Sequence, residues 1–137
     1  MTYLNCGITV RHPDIPVQEN GRKFRILNAQ RSKIIKVQVD GCVIKQRTAC
    51  DYLFDVKKNN TIYYVELKGK NILKAVEQLI ATMEHFKEFH ENRTKEFHVV
   101  ASRVPGTTAQ KQKILRNFRS KTGSKLYIKS RCQQISV

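Results

Sequence analysis

The sequence predicts a single α/β domain on a central mixed β-sheet flanked by helices, with elements in the order β-β-β-α-β-α-β. Three observations predict it. Apolar residues alternate in "SKIIKVQVDG" and crowd together in "TIYYVELKG", as they do in strands. Directly after Gly69 the period changes to three and four. The two later strands each follow a helix, and a strand reached across a helix runs parallel to the one before it.

At 137 residues the chain has the size of one ordinary domain, and no internal repeat or low-complexity linker divides it. The sheet-and-helix core is expected over about 33–136, after an irregular N-terminal segment, 1–32. Hydrophobic residues make up 40% and charged residues 27%, which is globular rather than disordered. No apolar run of about 18 residues is present to span a bilayer. The opening "MTYLNCGITVRHPDIP" has no secretory pattern, so the expected address is cytoplasmic.

Taken in order, "HPDIPVQENG" carries turn chemistry, and "RKFRILN" reads either as a short strand or as a helical turn. Ile35, Val37 and Val39 then share one face of the first core strand, closed by an Asp40-Gly41 turn. "CVIKQRTACDYLFDV" is the second strand region, with a break expected near Arg47 to Ala49, and "KKNN" turns the chain into the third strand, "TIYYVELKG". Ile72, Val76, Leu79, Ile80, Met83 and Phe86 form the apolar stripe of a helix over "NILKAVEQLIATMEHFKEFHENR", with Asn71 as its N-cap. "KEFHVVASRV" is a fourth strand and Pro105-Gly106 a turn. "TAQKQKILRNFRSK" is a basic helix ending near Gly123, and "KLYIKSRCQQISV" a last strand.

Charge bounds the class of partner. Lys and Arg outnumber Asp and Glu by 26 to 11, a net +15, and residues 97–137 hold nine Lys or Arg and no Asp or Glu. A surface of that sign attracts polyanions, and nucleic acid is the commonest inside a cell. Cys6, Cys42, Cys50 and Cys132 show no C-x-x-C spacing, so they are expected as free, mostly buried thiols in a reducing compartment. His12, His85, His90 and His98 are scattered, and none is assigned a catalytic role.

One stretch carries chemistry. On a strand, Tyr64, Glu66 and Lys68 share one side, and the preceding strand offers Asp51 and Asp55 on a common face. Asp51 is preferred because Asp55 lies close to the turn. "CDYLFDV", a short hairpin, "YYVELKG" and an immediate helix together resemble the PD-(D/E)XK nuclease superfamily, the fold of many restriction enzymes and small Holliday-junction resolvases. The resemblance covers Val39 to Val104 and implies a restriction-endonuclease-like fold and a metal-dependent endonuclease that hydrolyses DNA phosphodiesters.

Carried over residue by residue, the resemblance implies Asp51, Glu66, Lys68 and Gln78 as catalytic residues. Asp51, Glu66 and the Leu67 carbonyl would bind Mg²⁺ or Mn²⁺. Gln78, ten residues beyond Lys68, matches a glutamine that several branches carry on the helix after the motif. The sequence departs from the family in having Cys50 rather than proline before Asp51. The family's N-terminal helix with a metal-facing glutamate has no clear counterpart either: Glu19, the only glutamate before the motif and an optional metal ligand, lies in a turn-like segment. Arg103, Lys111, Lys113, Arg116 and Arg119 are the candidate phosphate contacts, as one groove wall. The expected partner is duplex or branched DNA, without a membrane, and the family's habit of pairing to cut two strands allows for a homodimer. The competing readings are a non-catalytic nucleic-acid-binding module of the same fold and an RNA-cleaving enzyme with the same site.

Overall fold

The strand read from "TIYYVELK" is the spine of the molecule: seven of its eight residues, Thr61–Lys68, are buried. The computed structural model describes residues 3–104 and 106–137. In chain order the strands before the first helix are β1 (Gly7–Val10), β2 (Asp14–Glu19), β3 (Arg22–Leu27), β4 (Ile34–Gln38), β5 (Tyr52–Val56) and β6 (Thr61–Lys68). They are followed by α1 (Ile72–His85), β7 (Thr94–Ala101), α2 (Thr108–Thr122), β8 (Lys125–Ser130) and β9 (Cys132–Ser136).

Six strands form a mixed sheet in the order β1-β4-β5-β6-β7-β8. β4, β5 and β6 pair antiparallel as a meander, and β7 and β8 add parallel to β6 across the two helices, as predicted. Both helices lie on the same face. Ile72, Ala75 and Leu79 of α1 and Phe118 of α2 pack with Leu53, Tyr64, Phe97, Val99 and Ile128. The opposite face is covered by a second sheet, not by a helix. It has three strands in the order β2-β3-β9, and its Ile15, Val17, Phe24 and Ile26 meet Phe54, Tyr63, Val65 and Val100. β6 is therefore buried on both faces, which suits its unbroken apolar run.

The N-terminal segment is not irregular, contrary to the sequence expectation. β1 extends the large sheet alongside β4, and β2 and β3 make a hairpin whose register closes at Glu19 opposite Arg22. Asn20 and Gly21 have φ of 48° and 80° at its tip, the positive pair that a two-residue hairpin turn requires. The expected single last strand is two: Arg131, at φ 66°, turns the chain from β8 in the large sheet into β9 in the small one. The second strand of the meander starts only at Tyr52, because residues 39–44 form a compact turn in which both Cys42 and Ile44 donate their N–H groups to the Val39 carbonyl.

Asn71 caps α1 by accepting from the Lys74 N–H, as predicted, but the helix ends at His85 and residues 86–92 follow as turns. α2 opens with a Thr107–Gln110 capping box and closes at Gly123, φ 74°, the left-handed stop a glycine supplies without strain. Of the expected Pro105-Gly106 turn, Pro105 lies outside the described residues. No helix among the described residues is long and apolar enough to cross a membrane.

The cysteines correct the sequence reading. Cys6 and Cys42 form a disulfide, with Cα atoms 5.8 Å apart. Pairing of β1 with β4 brings Cys6 beside Gln38, whose N–H bonds the Cys6 carbonyl, and the turn after β4 folds Cys42 back onto it. Cys50 is a buried free thiol and Cys132 an exposed one.

Candidate active site

Continuing the β5–β6 register by one residue beyond Tyr52 opposite Val65 sets Asp51 across from Glu66. Two hydrogen bonds fix the pair: the Asp51 N–H donates to Glu66 Oε1 at 3.0 Å, and the Leu67 N–H donates to Asp51 Oδ2 at 2.8 Å. Asp51 and Glu66 thus stand on the helix-covered face, on the side of β6 that strand alternation also assigns to Lys68. Leu67 is buried against the small sheet. Its N–H faces Asp51, and because a strand residue's N–H and C=O leave the same edge, its carbonyl faces that side too.

Glu66 is only 2% exposed. Burial, then the charge of Asp51, push its carboxyl up to about 9, against the opposing pull of Lys68. Asp51 is also raised, first by burial and then by the charges of Glu19 and Asp40, while the Leu67 N–H works the other way. With its carboxyl raised to about 9, Glu66 keeps its proton at neutral pH beside Asp51.

Gln78 does not reach into the acid pair. Its Nε2 donates to the Ala49 carbonyl at 3.1 Å, and its Oε1 is buried without a hydrogen-bond partner among the described residues. Thr82, one turn further along α1, accepts from the Cys50 N–H at 2.8 Å while donating to the Gln78 carbonyl. Two side chains of α1 therefore grip the two residues before Asp51. The sequence signalled Gln78; Thr82 was legible only as its i+4 neighbour.

Asp55 belongs elsewhere. It is 1% exposed and accepts from the Tyr3 hydroxyl at 2.7 Å and from Arg93 at 2.7 Å. Burial alone would raise its carboxyl, but the bonds from Arg93 and Tyr3 outweigh it and hold it low. Because Tyr3 donates to Asp55, it accepts from His90 Nε2 at 2.8 Å, which leaves His90 Nδ1 to accept from Tyr64 at 2.6 Å. Burial drives His90 down to about 4, which matches that neutral tautomer. The network ties the N-terminal segment into the core.

Glu19 sits at the end of β2 rather than in an irregular turn. It is about half exposed, lies 3.9 Å from Arg22, and its charge is felt at Asp51. Among the described residues no group of three or more His, Cys, Asp or Glu side chains converges as a metal site. For a cation at the acid pair, the protein donors on offer would be two carboxylates and a backbone carbonyl. That oxygen-only set fits Mg²⁺, which keeps most of its waters and takes one or two carboxylates.

The predicted basic wall divides. Lys111 and Lys113 line a groove of about 500 Å³ between the start of α1 and α2, together with Lys70, which sequence reasoning missed. Arg116 and Arg119 are exposed on α2 outside that groove, and Arg103 is exposed on the loop after β7. Comparison of the chain with protein-family models, curated proteins and solved structures finds no match.

Proposed function

We propose that the protein is a metal-dependent nuclease of restriction-endonuclease-like fold, hydrolysing phosphodiester bonds of DNA at Asp51, Glu66 and Lys68. One observation carries the reading: two carboxylates, one of them almost fully buried, face each other across β5 and β6. Burying such a pair is costly unless a cation compensates it. Asp51, Glu66 and the Leu67 carbonyl would hold Mg²⁺ or Mn²⁺, which when bound polarises a phosphate and lowers the pKa of water. Lys68 supplies a positive charge on the same face, placed to orient the attacking water or to stabilise charge growing on the phosphate. Gln78 and Thr82 are positioning residues, since they hold the strand that carries Asp51.

The backbone bonds to both carboxylates favour a second reading, in which the acid pair is a clasp between strand ends in a non-catalytic nucleic-acid-binding module. Cleavage of labelled duplex, branched DNA and RNA with Mg²⁺ or Mn²⁺, beside EDTA and the Asp51→Ala and Lys68→Ala variants, separates the two. The nuclease reading expects metal-dependent cutting that both variants abolish. Binding without cutting on every substrate selects the clasp, and RNA cut in preference to DNA reassigns the substrate.

A further inference from the structure

The groove between α1 and α2 begins two residues after Lys68, at Lys70, and has no acidic residue in its lining. Its floor is aliphatic: Ile72, Val104, Ile114 and Ile128. Leu73 stands at its lip, 65% exposed and thus one of the most exposed large apolar side chains described. Lys70, Lys111 and Lys113 surround it, and none of the three ion-pairs with a carboxylate among the described residues. Asn71 and Asn117 add amides that can donate to or accept from a heterocycle edge. The first turn of α1, which contains no acid, presents its N-terminal dipole there as well.

A cavity of this size takes one small ligand. Cations at the rim, an aliphatic floor and amides between them match a single unit that is anionic at one end and flat and heteroaromatic at the other. Resting on the nucleic-acid reading above, we infer that this groove binds one unpaired nucleotide of the strand being processed. The base lies over Ile72 and Ile114, and the phosphate meets Lys111 and Lys113. A fully paired duplex cannot fill it, because its bases are stacked away from the surface. The substrate is therefore DNA with an unpaired or extruded nucleotide beside the scissile phosphate.

The test is a methyl NMR titration of the Ile/Leu/Val-labelled full chain, in EDTA, with the dinucleotide pdTpdT, and with inorganic phosphate in parallel. The expected result is saturable shifts of the Ile72, Leu73, Val104, Ile114 and Ile128 methyls with the dinucleotide and none on that floor with phosphate. Leu73→Asp and the Lys111→Glu/Lys113→Glu pair replace side chains outside the buried core, so the fold is retained; each weakens binding at least tenfold. Absent shifts, the same shifts with phosphate alone, or unchanged affinity in both variants overturns the inference. Mn²⁺ binding by EPR on EDTA-free samples of the same proteins keeps the two readings apart. Nucleotide in the groove without Mn²⁺ at the acid pair upholds the groove and removes the nuclease. Mn²⁺ bound with no nucleotide in the groove does the reverse.

Discussion

At the residue scale the acid pair makes a prediction that does not depend on cleavage. The Glu66 carboxyl, raised to about 9 from an ordinary 4.5, favours the folded state fully below pH 4.5, and that contribution is lost as pH rises toward 9. Glu66→Gln keeps an oxygen to accept the Asp51 N–H and removes the titration, so in EDTA at pH 8 it should stabilise the protein by on the order of 5 kcal/mol. Thermal unfolding across pH 5 to 9 checks this: the variant's advantage should grow with pH, and a variant less stable at every pH would refute the raised Glu66 carboxyl. The same proton must leave when a cation binds, so Mn²⁺ affinity should rise about tenfold per pH unit below 9. Titrations at pH 6.5 and 7.5 measure that slope. The Asp51, Glu66 and Lys68 placement was legible because strand parity is local arithmetic. The network that Asp55 joins instead was not, because its partners Tyr3 and Arg93 lie 52 and 38 residues away in sequence.

At the scale of elements, α1 does more than cover the sheet. Thr82→Val preserves shape but leaves the buried Cys50 N–H without an acceptor, which should cost about 1–3 kcal/mol and slacken the approach to Asp51. Denaturant unfolding gives the cost, and a fall in Mn²⁺ affinity in the still-folded variant would identify positioning rather than stability alone. The Cys6–Cys42 bridge closes a span of 36 residues and pins the turn whose Val39 and Asp40 N–H groups bond the Asp51 and Cys50 carbonyls. Reduction should lower stability by about 4 kcal/mol on the chain-entropy argument, measured with and without reductant. The elements that sequence predicted well carry their own signals: the Asn71 cap, the Gly123 stop, the alternation of β4 and the apolar run of β6. β2 hid behind Pro13, Pro16 and exposed polar residues, although its Asn20-Gly21 hairpin turn was readable. β9 forms only because it lies parallel to β3, more than a hundred residues earlier, and no local pattern announces that pairing.

At the scale of the whole molecule, the net charge of +15 is the property any polyanion meets first, and the fold decides where that charge is useful. Arg103, Lys111, Lys113, Arg116 and Arg119, read as one groove wall, are divided between the loop after β7 and the turns of α2, so only Lys111 and Lys113 join Lys70 at the groove. Salt dependence can tell that arrangement from a diffuse coat of charge. Each phosphate neutralised on a single strand contributes a slope of about −0.7 to log K against log salt. Lys111→Gln/Lys113→Gln, which removes the cations that meet the bound nucleotide's phosphate, should therefore make the slope for a short single-stranded oligonucleotide shallower by about 0.7. Arg116→Gln/Arg119→Gln removes as much formal charge from the same helix, yet it should leave the slope near the wild-type value. Equal losses from the two pairs would mean that the anion senses the total charge and not the groove. A larger loss from the arginine pair would move the nucleic-acid path to the outer face of α2. Fluorescence anisotropy between 50 and 300 mM salt distinguishes these outcomes, and because it needs neither metal nor turnover it reads the binding surface independently of the acid pair.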